Sequence, residues 1–312
     1  MKVLVTGGAG FVGSHIVDKL VEKGHKVVVV DNLFTGNKKY VNKLAKFYKR
    51  DITKKIDDIF KKERPKYVLH VAAQVMLRDS LDKPTYDATI NILGTINVLE
   101  CCRKYKVKKI IYTSTGGARY GEPIRLPVKE TDPIRPESPY GISKHTAEHY
   151  IEAYSKLYGI DHLIFCFGNV YGPRDDPNCK RVTSIFLYQM LLGKQPIIFG
   201  DGKQTRDFIF VLDIAEFIVK VMKKRPKHRL FNLANSSQIS VNEIFLLLKE
   251  YIGFDKDAKH IKAIKGEIRD IRLDTTLAKK ELGWRPKHDF KKGLKLTAEW
   301  FKKSLKKSSK SY

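Results

Sequence analysis

Thr6-Gly7-Gly8-Ala9-Gly10-Phe11-Val12-Gly13 stands between a short apolar run, Lys2 to Thr6, and an amphipathic stretch running from Gly13 to Lys23. The first run has the pattern of a strand and the second that of a helix, so the glycines sit on a strand-to-helix turn. Gly7, Gly10 and Gly13 fall where backbone must turn tightly and approach a pyrophosphate, and the helix start adds unpaired amide donors. The next apolar run, Lys26 to Asp31, ends in an acid 18 residues after Gly13. A carboxylate there accepts from both hydroxyls of a ribose and repels a 2′-phosphate, which favours NAD over NADP. The competing reading is a plain turn followed by a surface acid; the flanking strand and helix weigh against it.

Outward from this unit the alternation continues through Tyr67 to Ala72, Thr89 to Tyr105, Lys109 to Ser114, Pro139 to Tyr158 and His162 to Phe167. That rhythm predicts an α/β fold, a doubly wound parallel sheet of the Rossmann kind, over residues 1–167. Asp51-Ile52 is expected to close a short third strand and Ala72-Ala73 the fourth, with Asn91 on a following helix. Each of these alone is as consistent with packing as with a ligand. Beyond Gly168 the rhythm loosens into a loop, Pro173 to Lys180, a helical stretch, Thr183 to Leu192, and a turn at Gly200-Asp201-Gly202. A smaller C-terminal domain is therefore expected over 168–312, with the chain returning to the first domain around 207–235. The Lys- and Ser-rich end, 302–312, is expected to fray.

Bulk properties remove other classes. The chain has 312 residues with 42% apolar content, enough for a large core, and no apolar run near the roughly 20 residues a membrane helix needs. Met1 to Thr6 leads directly into a strand, so no signal peptide is expected. Four cysteines, two of them the neighbours Cys101 and Cys102, match no metal or disulfide spacing, which predicts no metal and a reducing, cytoplasmic setting. The formal charge of +26 would suit nucleic acid or an anionic membrane. The Lys and Arg residues are spread along the chain, however, with one run at Lys302 to Lys310 and no interleaved aromatics, so nucleic acid is not the expected partner. A solvated surface adapted to heat or salt, with some steering of an anionic substrate, accounts for the charge.

Tyr140-Gly141-Ile142-Ser143-Lys144 places a phenol and an ammonium four residues apart, on one helix face. A free phenol titrates near ~10, too high for a base at neutral pH, but a neighbouring ammonium and a cationic nicotinamide ring both favour the phenolate. The same spacing also occurs on solvated faces. Upstream, the strand Ile110 to Ser114 ends at Thr115, whose hydroxyl could share a hydrogen bond with a substrate oxygen or merely cap the strand.

With these residues in hand, the chain resembles the extended short-chain dehydrogenases, and within them the UDP-glucose 4-epimerase-like group. The resemblance spans nearly the whole length and rests on Thr6 to Gly13, Asp31-Asn32, His70 to Gln74, Asn91 to Thr95, Thr113 to Gly121, Pro139 to Lys144, Asn169 to Arg174, Phe199 to Asp207 and Leu282-Gly283-Trp284. It implies a catalytic trio of Thr115, Tyr140 and Lys144 that inverts a sugar carbon through a 4-keto intermediate, without net consumption of NAD. It implies NAD contacts from Gly7, Gly10, Phe11, Val12, Gly13, Asp31, Asn32, Asp51, Ile52, Ala72, Ala73, Asn91, Tyr140, Lys144, Gly168 and Val170. For a UDP-sugar it implies Thr115, Tyr140, Asn169, Phe199, Arg206, Lys265 and Ile271, the last gating bulky 2-substituents. A homodimer packed through 89–105 and 139–158 is also implied.

Family dehydratases carry an Asp-Glu pair after the Thr, where this chain has Gly116-Gly117. Three departures from the group remain: Phe165-Cys166-Phe167 for Leu-Arg-Tyr, Ile264 for a second diphosphate-binding Arg, and a short basic loop at Asn178-Cys179-Lys180-Arg181. Lys180, Arg181 or Lys265 is expected to supply the missing cation. Other readings are an N-acetylhexosamine or uronate 4-epimerase, a nucleotide-sugar reductase, and a regulator or nucleic-acid binder that keeps NAD as a structural ligand.

Overall fold

The computed structural model describes residues 1–263 and 268–308. The chain begins β1 (Lys2–Thr6), α1 (Phe11–Glu22), β2 (Lys26–Asp31), β3 (Lys46–Lys49), α2 (Asp57–Glu63), β4 (Tyr67–His70). It continues through α3 (Leu77–Asp82), α4 (Pro84–Ala88), a π turn at Thr89–Leu93, α5 (Gly94–Lys104) and β5 (Lys109–Thr115). Then come α6 (Gly117–Tyr120), α7 (Pro139–Tyr158), β6 (Asp161–Phe167) and β7 (Asn169–Tyr171). Seven strands form one parallel sheet in the order β11-β6-β5-β4-β1-β2-β3, β11 being Leu230–Leu233. The direction of winding reverses between β1 and β4, which opens a crevice at the carboxyl ends of those strands.

Both faces of the sheet are covered, which is why its strands read as unbroken apolar runs. In β2, Val27 and Val29 point to one face, against Ile16, Val17 and Leu20 of α1 and against Ile214 and Ile218 of α9 (Val211–Val221). Val28 and Val30 point to the other, against Ile59 and Phe60 of α2, Val98 and Leu99 of α5, and Ala147 and Ile151 of α7. Thus α9 and β11, though late in sequence, pack with the first 167 residues.

The remaining elements build a smaller unit: α8 (Val182–Leu191), β8 (Ile197–Phe199), β9 (Thr205–Arg206), β10 (Phe208–Phe210), β12 (Ile239–Ser240), α10 (Val241–Ile252), β13 (Lys259–Ile261), α11 (Thr276–Leu282) and α12 (Phe290–Ser308). Its core gathers Phe186, Leu187 and Met190 of α8, Ile244 and Leu248 of α10, and Leu294, Ala298 and Phe301 of α12. Of these elements α11 looks back to the sheet, where Ala278 and Leu282 join the first core. Of the stretch expected to fray, α12 runs on through Lys302 to Ser308, and residues 309–312 lie outside the described residues. Phe301 is buried and Lys302 Nζ donates to Tyr251 O at 2.7 Å, so packing holds a segment whose composition alone favours solvent.

Candidate active site

The glycine turn is close-packed rather than merely flexible. A Cβ on Gly13 would sit 2.0 Å from Gly7 O, and one on Gly7, at φ +70°, would sit 2.6 Å from Ala72 N. Only hydrogen fits at either place. The turn delivers α1 with no side-chain cap and no acid in its first turn, so its N-terminal amides remain available to an anion. Asp31, at the end of β2, is buried and accepts from Ala9 N at 3.0 Å and Leu33 N at 2.8 Å. Burial pushes its carboxyl up, against the pull of those two amides.

These residues line a cleft of about 510 Å³ at the carboxyl edge of the sheet, together with Gly10, Phe11, Val12, Asn32, Asp51, Ile52, Ala72 and Ala73. A glycine cradle, an uncapped helix end and a carboxylate at the end of β2 are the donor set an NAD molecule needs, and the residues fit it. Asn91, Tyr140, Lys144, Gly168 and Val170 are not part of the cleft wall. Asn91 is buried, its Nδ2 donating to Gln74 O, Asp87 Oδ1 and Ser143 Oγ and its Oδ1 accepting from Gln74 N. With every polar group of its amide engaged, it braces the Gln74–Met76 wall from behind. Gly168 N donates to Leu233 O at 2.9 Å, and Val170 packs on the sheet core.

Tyr140 is the second residue of α7, whose start is capped by Ser138 Oγ accepting from Gly141 N. Its own amide donates to Ser80 Oγ of α3 at 3.2 Å. Thr115 is the last residue of β5, and its hydroxyl is among the groups that favour the Tyr140 phenolate. Burial pushes that phenol up to about 12, with Arg181 and Thr115 pulling down and Asp87 pushing further up. Lys144 is buried; its Nζ donates to Thr113 O at 2.8 Å and lies 4.1 Å from the centre of the Tyr112 ring. Burial takes its amine down to about 7, partly offset by the carboxylates of Glu148 and Asp87. The helix spacing therefore brings the pair together differently from the simple expectation. Arg181 adds its charge in favour of the phenolate, while Lys144 Nζ is bonded to Thr113 O of β5.

Sequence reading passed over Glu148, one turn beyond Lys144. Its Oε1 accepts from Ser114 Oγ at 2.5 Å and its Oε2 from Arg119 Nε at 3.1 Å, with His145 Nδ1 at 2.8 Å. Cys166 lies in the same buried cluster, its Sγ 3.9 Å from Glu148 Oε1, and so sits beneath α7. The signal available in sequence was the i, i+4 spacing from Lys144 on an otherwise apolar helix face. His70 was likewise unassigned; it bridges Thr6 Oγ1 at 2.7 Å and Thr95 Oγ1 at 2.9 Å, and burial takes it down to about 3, so it is neutral.

Of the two glycines after Thr115, Gly117 has room for a Cβ, 4.0 Å from Ile271, whereas Gly116 is tight. A Cβ there would lie 2.4 Å from Leu273 Cδ1 and 3.0 Å from Phe167 O. Ile271 follows suit: it is buried in a small cluster with Tyr120, Val128 and Leu273, 4.0 Å from where a Gly117 Cβ would stand. Asn169 is exposed on β7, and Phe199 ends β8 with the Arg78 guanidinium 5.1 Å from its ring centre, a contact across the two domains that no spacing announced. Arg206 Nη1 donates to Thr205 O and Arg269 O. Its neighbour Asp207 is not a surface partner: it is buried and accepts from Asn235, Ser237 and Leu273 amides, with burial pushing it up to about 7. Lys265 and Ile264 lie outside the described residues. Lys180 is exposed, whereas Arg181 lines the glycine cleft. Among the described residues there is no cluster of metal-binding side chains, and no helix is long and apolar enough to cross a membrane.

A model of the NAD dependent epimerase/dehydratase family matches residues 3–234. A Methanocaldococcus jannaschii protein, provisionally classed as a UDP-glucose 4-epimerase, is 48% identical over 302 residues, 96% of this chain and 98% of its own. The Thermotoga maritima UDP-glucose 4-epimerase, solved with UDP-glucose, superposes with a TM-score of 0.95 at 44% identity, over 98% of this chain and 100% of that one. The Thermus thermophilus UDP-glucose 4-epimerase, solved with NAD, gives 0.92 at 36% identity, over 97% and 99%.

Proposed function

Since the chain belongs to the NAD-dependent epimerase/dehydratase family, we propose that it is a UDP-glucose 4-epimerase, interconverting UDP-glucose and UDP-galactose with NAD as its resident cofactor. The observation that carries this reading is Thr115 and Tyr140 with Lys144 behind them, next to Gly116-Gly117, where no acid stands. Chemistry that eliminates water needs such an acid; oxidation followed by reduction does not.

Gly7, Gly10, Gly13 and the first turn of α1 would hold the pyrophosphate of NAD, and Asp31 its adenosine ribose. When bound, NAD supplies the hydride acceptor and donor for the sugar C4, and a positive ring. Tyr140 Oη takes the proton of the 4-hydroxyl and later gives it back; Thr115 Oγ1 shares a hydrogen bond with the same oxygen. As the phenol stands near 12, it becomes a base only with positive charge around it, which Arg181 and the Lys144 amine provide from the protein side. After C4 is oxidised, the 4-keto sugar presents its other face; with C4 then reduced from that face its configuration is inverted, and Tyr140 returns the proton to the 4-oxygen.

Purified protein incubated with UDP-galactose and no reductant should form UDP-glucose without a net change in NADH absorbance. Stoichiometric NADH change would indicate a reductase instead. If neither this pair, the N-acetylhexosamine pair nor the uronate pair interconverts, the reading fails.

The proposed homodimer packs α5 and α7 against their copies, supported by the exposed apolar residues Leu93, Ile142, Leu157 and Tyr158 along that face. A cytoplasmic setting accords with a UDP-sugar substrate and with the absence of a membrane-spanning helix among the described residues.

A further inference from the structure

Two guanidinium groups, of Arg174 and Arg181, line the same cleft as the glycine turn. The Arg181 guanidinium lies 5.4 Å from the ring centre of Phe11, the first residue of α1. It is held there by construction. Lys180 takes a left-handed backbone (φ +54°) after the 3₁₀ turn Pro177–Cys179, which brings Arg181 back to the cleft as the residue preceding α8. Arg181 Nη1 then pairs at 2.5 Å with the buried carboxylate of Asp175. Arg174 is tied to Asp18 of α1 at 2.7 Å, and its buried Nη1 has no partner among the described residues.

Arg181 thus stands beside the start of a helix that brings neither a side-chain cap nor an acid in its first turn, with Arg174 on the same cleft wall. A guanidinium beside uncapped helix-start amides favours an anion there. We propose that Arg181 is a cofactor-binding residue, closing over the pyrophosphate of the dinucleotide that the glycine turn receives. The family resemblance makes it a candidate for the diphosphate of the sugar nucleotide. Its contact with Phe11 and its place on the wall of the glycine cleft assign it to the other diphosphate. From that position the same charge also acts on Tyr140.

The inference rests on the NAD reading but not on which sugar reacts, so it is tested by binding. Cofactor-free full-length protein and its Arg181→Met and Arg181→Lys variants would be titrated calorimetrically with NAD, ADP-ribose, adenosine and UDP. Losing a charge-assisted contact should weaken NAD and ADP-ribose by about 10- to 100-fold in Arg181→Met, with Lys recovering part of it. Adenosine, which lacks the pyrophosphate, and UDP should bind within about twofold of wild type. NAD affinity unchanged in Arg181→Met overturns the proposal, as does a loss confined to UDP or an equal loss for adenosine. Should Arg181→Met not fold, Arg181→Gln takes its place under the same criteria. A wild-type protein that binds NAD but turns over no UDP-sugar would sink the epimerase reading and leave the Arg181 comparison intact.

Discussion

The charge at Lys144 is set by burial against nearby carboxylates, and each gives a measurable consequence. Burial takes the amine from its ordinary value of 10.5 to about 7, so between those pH values the unfolded chain holds a proton that the folded chain has released. Stability therefore rises with pH across that window, and below pH 7 the full cost of burying the ammonium is present. Lys144→Met should raise the thermal midpoint most at pH 6, where the relieved cost is on the order of a few kcal/mol, and progressively less toward pH 9. Equal gains at both pH values would contradict this. Glu148 pulls the other way, favouring the ammonium from one helical turn along. In Glu148→Gln the alkaline limb of the activity profile should move to lower pH, by something like one unit, with KM for the sugar nucleotide unchanged. A profile that merely drops in height would mean Glu148 is only a strut for Arg119 and Ser114, to which it also bonds.

At the scale of elements, α7 serves two surfaces. Its inner face carries Lys144, Ala147, Glu148 and Ile151 against the sheet, while Ile142, Leu157 and Tyr158 face outward. Leu157 is 71% exposed, an unfavourable place for a large apolar side chain unless a partner covers it. Leu157→Lys should convert the proposed dimer to a monomer at micromolar concentration, read by light scattering on a sizing column, and leave the monomer's melting point within a degree or two. A wild-type chain that is already monomeric would dispose of the α5–α7 interface. The C-terminal helix also does more than close a domain: Trp300 and Leu305 line the cofactor cleft, and the Trp300 ring lies 6.4 Å from that of Tyr40.

For the molecule as a whole, the excess of 60 Lys and Arg over 34 Asp and Glu is a field rather than a site. A polyanionic sugar nucleotide approaching a chain of net charge +26 is steered, and steering is screened over about 10 Å at 0.1 M salt. Raising salt from roughly 0.05 to 0.5 M should lower kcat/KM severalfold while kcat holds, as stopped or continuous assays would show, because the chemical step takes place out of reach of the screening ions. A salt-independent kcat/KM would mean that the charge serves stability or solubility alone.

What the sequence by itself determined is the first domain. Glycines at 7, 10 and 13, an acid at 31, and apolar runs returning every helix-length are local constraints, and local constraints are written in order along the chain. The strands Lys2–Thr6 and Lys26–Asp31 and the helix Pro139–Tyr158 could be bounded to the residue for that reason. Tertiary structure decided what depends on residues distant in sequence. Composition marked 302–312 for solvent, yet burial of Phe301 beside α10 carries a helix to Ser308 and puts Leu305 in the cleft wall. Tyr140 and Lys144 were legible as a pair from their spacing. That Arg181 also bears on the phenol was not, because it is brought to the cleft by a left-handed turn at Lys180 and an ion pair with Asp175. Asn91 reads as a ligand in a motif and becomes a brace in three dimensions, since a buried amide bonds to whatever surrounds it. The pattern carries the frame; which way a charged or polar side chain points is decided by the partners that folding brings to it.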